Sequence, residues 1–177
     1  MAVKMDFYEL AQSRRSIRKF KKENVPAEDI EKIIKSAQYA PSAGNCQSWH
    51  FFIIIDKNIQ AEIKNKSCNQ SFILTAPVFI IVCADIEKSE KRYGERSRDL
   101  YCIQDTAAAI QNILLCAKSL GLGTCWCGDF NENTLSEILN LQKNLRPVAI
   151  IPVGYPVNEP VSKNRRLINE IVTLVGG

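Results

Sequence analysis

The sequence predicts a domain of alternating helices and strands, α/β or α+β in class, and three observations lead there. Short β-rich apolar runs at Trp49–Ile55, Val78–Ala84 and Val148–Val153 are each bounded by polar or turn-forming segments. Between them, apolar residues recur at the three-and-four spacing of one helix face. The length of 177 residues suits one domain, 1–177, and neither an internal repeat nor a Pro-, Gly- or Ser-rich linker divides it. Four or five strands are expected, in an order these patterns do not determine.

A first helix is expected from about Asp6 to Ser13, with Phe7, Leu10 and Ala11 on one side. A second opens at Pro26, suited to the first helical position, with Glu28 and Asp29 at the positive end of the dipole. Its stripe is Ile30, Ile33, Ile34 and Ala37, and it stops near Pro41, because the residue before proline is pushed out of the helical region. Ala40 to Ser48 is then a loop of small and polar residues. Trp49–Ile55 and Val78–Ala84 read as buried strands, with a short charged helix at Ile59–Lys66 between them. The densely charged stretch Asp85–Asp99 reads as an exposed, mobile connection and a candidate lid.

The longest helix runs from about Tyr101 to Leu120, striped by Ile103, Ala107, Ile110, Leu114 and Ala117. Ala108, Ala109, Ile113, Leu115 and Cys116 widen that stripe until little polar face remains, so the helix is buried in a core or in a subunit interface. Gly121 and Gly123 close it. A short strand (Thr124–Cys127), a helix (about Glu132–Leu141) and the strand Val148–Val153 follow. The tail Leu167–Val175 is too apolar for a free terminus.

Composition excludes several classes. No apolar run approaches the ~20 residues of a membrane span, and Met1–Leu10 carries Lys4, Asp6 and Glu9 in place of a secretory signal's apolar stretch. Seven cysteines, an odd number set mostly in apolar runs, read as reduced thiols of a soluble cytoplasmic protein. Six cations and no acid fall within residues 14–22. Without those six the chain has 17 lysines and arginines against 19 acids, so one basic strip stands out from a slightly acidic remainder. Such a strip favours an anionic partner.

Several chemistries lack their residues. No phosphate-binding Gly-x-x-x-x-Gly-Lys-Ser/Thr loop occurs, and Gly121-Leu-Gly123 follows a helix instead of the strand a dinucleotide fingerprint needs. The single histidine, His50, lies between Trp49 and Phe51 at a strand start, a structural setting. Cys125 and Cys127 are one residue apart with no matching second pair, so no metal is expected. Chemistry would then come from an organic cofactor.

Three stretches converge on one. In an extended segment, Arg14, Ser16 and Arg18 share a side and make a cradle for a phosphate dianion. The same strip, taken alone, fits a solvated charge run or a nucleic-acid contact. Pro41 to Trp49 offers small side chains, amides and hydroxyls to a flat ring, though taken alone it is a helix-to-strand connection. Gly121 to Gly128, with Lys163 and Arg165 near the end, adds backbone amides and further cations.

Taken in this order, the stretches resemble the FMN-dependent nitroreductase family over nearly the whole chain. The likeness rests on Arg-Arg-Ser-x-Arg-x-Phe at Arg14–Phe20 and Pro-Ser-x-x-Asn-x-Gln-x-Trp at Pro41–Trp49. It continues through Gly-Leu-Gly-Thr-x-Trp at Gly121–Trp126, Pro-Val-Gly-Tyr-Pro at Pro152–Pro156, and Lys163 and Arg165 before an apolar tail. The resemblance implies an α+β, three-layer α/β/α fold with a mixed, mostly antiparallel sheet, in a domain-embracing homodimer with FMN at the interface. The long helix would form much of that interface, and the tail would wrap the partner. By the same resemblance Arg14, Arg15, Ser16, Arg18, Lys163 and Arg165 hold phosphate, ribityl chain or ring edge from one subunit. Pro41, Ser42, Ala43, Asn45 and Gln47 would touch the flavin from the other, and Cys125, Trp126, Cys127 and Gly128 would run along its ring.

The reaction implied is ping-pong: NADH or NADPH passes hydride to flavin N5, leaves, and a nitroaromatic, quinone or related small acceptor takes its place. Neither nucleic acid nor membrane is a partner on this reading. Rivals are a same-fold flavoenzyme performing reductive dehalogenation or oxidising a bound intermediate, and a non-enzymatic nucleic-acid module using residues 14–22. Phe20 is the only aromatic residue in that strip, which argues against base stacking. Cys127 and Gly128 stand where many relatives carry other residues, and Tyr93, Arg96 and Tyr101 are candidates for the acceptor site.

Overall fold

A computed structural model describes residues 6–176; the start of the segment Met1–Leu10 lies outside the described residues. Helix α1 (Phe7–Ser13) opens on a capping box, in which Asp6 and Glu9 each accept the other's backbone N–H. Pro26 precedes α2 (Ala27–Gln38) as its cap, one place earlier than expected, and its fixed φ still leads the chain into the helix. After β1 (Trp49–Ile54), the Asp56 carboxylate accepts from the Asn58 and Ile59 amides to start α3 (Lys57–Glu62), which widens into a turn at Ile63–Ser67. Then come β2 (Val78–Asp85), α4 (Ile86–Tyr93), a wide turn at Ser97–Tyr101 and α5 (Cys102–Ser119). The chain ends its regular structure with β3 (Gly123–Thr124), α6 (Glu132–Ile138), β4 (Leu145–Gly154) and a short turn at Ile168–Glu170.

The strands lie in the order β1-β2-β4-β3 and each neighbour pair is antiparallel. Ser16 makes an isolated parallel bridge to Thr124 beside β3, outside the four strands, so the sheet itself is antiparallel throughout where a mixed, mostly antiparallel one was expected. Both faces of β2 are covered, which is why its sequence is apolar without a break. Val78, Ile80 and Val82 pack with Ile33 and Ala37 of α2 and Ile110 and Ile113 of α5. Phe79, Ile81 and Cys83 pack on the opposite face with Ile63, Ile73, Ile150 and Leu135 of α6. Helices, sheet and helices therefore form three layers.

Three further expectations change. β1 is an edge strand, with His50 and Ile53 exposed, because among the described residues only β2 pairs with it. The strand expected at Thr124–Cys127 is regular only at Gly123–Thr124, and Cys127 regains the sheet through an isolated bridge to Ile150. The charged stretch expected to be a mobile connection is mostly helical. Lys91 pairs with Glu87 and Arg98 with Glu90 on its outer side, while Ser89 and Ser97 are buried and hydrogen-bonded to each other. Density of charge there reflects a solvated helix face. Helix α5 buries Ala109, Ile110, Ile113, Leu114 and Ala117 within one chain, between α2 and the sheet, as its scant polar face leads one to expect. Ile103 and Ala107 of the stripe are half-buried. In the tail, Leu167, Ile168, Ile171, Val172, Leu174 and Val175 are all half or more exposed. Among the described residues no helix is long and apolar enough to cross a membrane.

Candidate functional site

Beyond α1 the chain turns extended at Arg14 (φ −60°, ψ 134°) and runs beside β3. The Ile17 amide donates to the Thr124 carbonyl at 2.8 Å and the Lys21 amide to the Tyr155 carbonyl at 2.8 Å. Ile17 and Phe20 are buried in the second core and anchor the strip. With Ile17 turned inward, alternation turns its neighbours Ser16 and Arg18 the other way.

Close approach here requires glycine. A Cβ on Gly123 would lie 2.6 Å from Ile17 Cγ1 and 2.9 Å from its Cβ. Gly123→Ala is expected to displace Ile17, with a cost of about 1–3 kcal/mol, and to loosen Ser16 and Arg18. A thermal melt and a flavin titration check this; unchanged values for both would show that the strip accommodates the methyl.

The outward side of the strip faces the C-terminal segment across a cavity of about 220 Å³. Its lining is Arg14, Arg15, Ser16, Arg18, Pro160, Val161, Lys163 and Arg165. Arg15 also donates through Nη1 to the Arg14 carbonyl at 2.8 Å, which sets its direction. The Arg18 guanidinium lies 5.8 Å from the Phe72 ring centre. All six phosphate-side candidates therefore surround one space, although they come from opposite ends of the chain.

The second candidate stretch is shaped by left-handed backbone at Gly44 (φ 53°), Asn45 (φ 57°) and Gln47 (φ 50°). Its scaffold is Asp105, a buried carboxylate on α5. Asp105 Oδ1 accepts from the Ala43 amide at 2.9 Å, and Oδ2 accepts from the Ser48 hydroxyl at 2.6 Å. The Ser42 hydroxyl accepts from the Gln47 amide at 2.9 Å. From the outside, Arg92 Nη1 donates to the Gly44 carbonyl at 2.7 Å, and a Cβ on Gly44 would meet the Tyr93 hydroxyl at 2.2 Å. Helix α4 is thus seated on this loop, with Tyr93 edge-on to Tyr101 at 5.6 Å and Arg96 Nε donating to the Tyr101 hydroxyl at 2.9 Å. Pro41, Ser42, Ala43, Asn45 and Gln47 do not line the basic cavity.

In the third stretch the side chains alternate. Cys125 and Cys127 are buried, whereas Trp126 and Gly128 are exposed. The Cys127 amide and carbonyl both pair with Ile150, at 3.0 Å each, so its N–H is already engaged. A hydrogen bond with Cys127 lowers the Cys125 thiol to about 7 against the opposing effect of burial, with Arg18, Ser16 and Arg14 adding to the fall. Among the described residues no group of His, Cys, Asp and Glu is placed to hold a metal ion.

A model of the nitroreductase family matches residues 11–68 and 57–155. The chain belongs to the nitroreductase family. A relative in Archaeoglobus fulgidus, provisionally named NADH dehydrogenase/NAD(P)H nitroreductase, is 36% identical over 151 residues, 83% of each chain. The FMN reductase [NAD(P)H] of Bacillus subtilis is 32% identical over 165 residues, covering 85% of this chain and 66% of its own. The crystal structure of a nitroreductase family protein from Clostridium novyi NT superposes with a TM-score of 0.79 at 33% identity, covering 90% of this chain and 89% of that one.

Sequence reading misses four residues in this nitroreductase-family chain. Pro160 and Val161 complete the basic cavity, Asp105 holds the Ala43–Ser48 loop, and Arg92 clamps it from outside. Asp105 carries a signal that could have found it: an acid on the buried side of an otherwise apolar helix needs a partner.

Proposed function

We propose that this nitroreductase-family protein is an FMN-dependent oxidoreductase that uses NADH or NADPH to reduce nitroaromatic, quinone or related small acceptors, with 1–177 acting as one FMN-binding domain. The observation that carries this is the convergence of Arg14, Arg15, Arg18, Lys163 and Arg165 on one concave space. A nucleic-acid module would spread its cations over an open face.

The donor set fits FMN. A phosphate monoester is close to dianionic at neutral pH, and each charge-assisted hydrogen bond to it contributes ~1.5–3 kcal/mol. The arginines supply paired donors of permanent charge and Ser16 adds a hydroxyl, enough to retain the cofactor without a covalent link. When bound, FMN supplies the two-electron chemistry between nicotinamide and acceptor. The chain supplies position and polarity. Arg14, Arg15, Ser16, Arg18, Lys163 and Arg165 hold phosphate, ribityl chain or ring edge. Cys125 and Cys127 back the ring-side stretch from the core. Because the Cys127 amide is bonded to Ile150, the amides of Trp126 and Gly128 are the ones this stretch would offer to the ring.

Pro41, Ser42, Ala43, Asn45 and Gln47 contact the flavin of a second copy. Their separation from the basic cavity, together with an exposed apolar tail, supports a homodimer in which Leu167–Val175 lies across the partner. Free thiols at all seven cysteines support a reducing, cytoplasmic location.

The decisive experiment is the visible spectrum of the purified protein, followed by release and identification of the chromophore. Anaerobic turnover of NADH and NADPH against a nitroaromatic, a quinone and a halogenated phenol then ranks the acceptors. A colourless protein that takes up no FMN overturns the reading.

A further inference from the structure

A second hollow adjoins the basic cavity on the α1 side. It measures about 490 Å³ and is lined by Tyr8, Ala11, Gln12, Arg15, Ser162 and Arg165. Arg15 and Arg165 also line the basic cavity, so the two spaces meet at a pair of guanidiniums. Spacings of three, one and three residues put Tyr8, Ala11, Gln12 and Arg15 on one side of α1 and its exit. Helix α1 buries none of its residues, and Tyr8 is 69% exposed, so an aromatic face lies open to a flat ring. Ala11 keeps the floor low, while Gln12 offers an amide and Ser162 a hydroxyl. Arg15 Nη1 donates to the Gln12 and Arg14 carbonyls, which holds its guanidinium at the boundary of the two spaces.

The charges around this boundary are left without acids. Among the described residues, none of Arg14, Arg15, Arg18, Lys163 and Arg165 forms an ion pair with a carboxylate. Cations nearby in sequence do: Lys21 pairs with Glu23 and Arg166 with Glu170. A phosphate monoester carries up to about two negative charges, and Arg14, Arg18 and Lys163 meet it without the two shared arginines. Size points the same way. Pockets that enclose a small organic ligand run to roughly 300–1,000 Å³; the basic cavity is smaller, at about 220 Å³, and the hollow falls within that range. Arg15 and Arg165 are therefore placed for a second phosphate, and the hollow for an aromatic base joined to it.

We propose that the flavin site admits flavin adenine dinucleotide as well as FMN, with the second phosphate at Arg15 and Arg165 and the adenosine in the hollow against Tyr8. The proposal rests on the flavin reading and extends the ligand at that site. The flavin half keeps the seat FMN has. The adenine stacks on the Tyr8 ring, and the Gln12 amide has both the donor and the acceptor that the adenine edge requires. A nicotinamide donor carries the same adenylate, so the test separates the two sources.

The full-length protein is equilibrated with equal, saturating concentrations of FMN and FAD and freed of unbound flavin. The bound flavins are then released by denaturation and separated by chromatography. FAD is expected in the bound fraction at a share within roughly tenfold of that of FMN. Tyr8→Ala is expected to lower that share roughly tenfold, the loss of one base–aromatic stack. Ala11→Trp fills the floor and is expected to exclude FAD. Both variants keep the FMN affinity and the melting temperature, because Tyr8 and Ala11 are exposed and lie outside the basic cavity. With FMN loaded, Tyr8→Ala also keeps the KM for NADH. Binding of FMN with refusal of FAD overturns the proposal and leaves the FMN reading standing. An FAD share that neither variant changes overturns it as well, since the adenosine then trails into solvent. A raised KM for NADH in Tyr8→Ala with the FAD share unmoved assigns the hollow to the nicotinamide donor, and the proposal falls. Uptake of neither flavin overturns the flavin reading together with the proposal.

Discussion

Replacing Arg14 and Arg18 together by alanine is expected to strip the flavin while leaving the fold intact. Each arginine lines the basic cavity, and each lost charge-assisted hydrogen bond is worth ~1.5–3 kcal/mol. The pair therefore weakens FMN binding by roughly 10²–10⁴-fold. Neither side chain is buried, so the melting temperature should move little; surface changes usually stay within about 0.5 kcal/mol. A fluorescence titration with FMN and a thermal melt read the two quantities separately. The matched control is Lys19→Ala with Lys22→Ala, which removes equal charge from the same strip but from residues outside the cavity lining. Retention of stoichiometric flavin by the arginine variant, or equal loss in the lysine control, would refute the phosphate assignment.

Asp105→Ala carries the second large effect and has the opposite signature, because it removes the scaffold of the loop. It leaves the Ser48 hydroxyl and the Ala43 amide without their acceptor inside the fold. Unpaired buried donors and a lost charged acceptor together cost about 2–4 kcal/mol. For a chain of this size that lowers the melting temperature by roughly 5–15 °C. Flavin affinity should fall with it, since Gly44, Asn45 and Gln47 hold left-handed conformations that relax once the pin is gone. Asp105→Asn keeps the volume and one acceptor oxygen, so it should fall between the two. An Asp105→Ala protein with unchanged melting temperature would show that water replaces the carboxylate. Calorimetry of the three proteins decides the question.

How much of this was legible in the residues depends on the distance over which each feature is encoded. The stripe of α2 and the unbroken apolar run of β2 follow from side-chain periodicity within a few residues, and both were readable. The role of α4 was not, because a helix with one solvated, charge-paired face and buried serines looks like a loop when hydrophobicity is the only guide. Asp105 was passed over for a related reason. Its partners lie 57 and 62 residues away, and nothing near it in sequence announces them.

The order of motifs along the chain was enough to identify the family and the cofactor chemistry, since Arg14–Phe20, Pro41–Trp49 and Gly121–Trp126 keep their residue types wherever the fold carries them. Strand order was a different matter. Placing β3 at one edge of β1-β2-β4-β3 gives residues 16–20 a place to pair, through Thr124 and Pro156, and sets Arg14 and Arg18 opposite Lys163 and Arg165. Local periodicity specifies which residues face a core, but contact between distant segments depends on how the layers stack. Only the packed chain could bring those cations around one cavity and set Cys125 behind it.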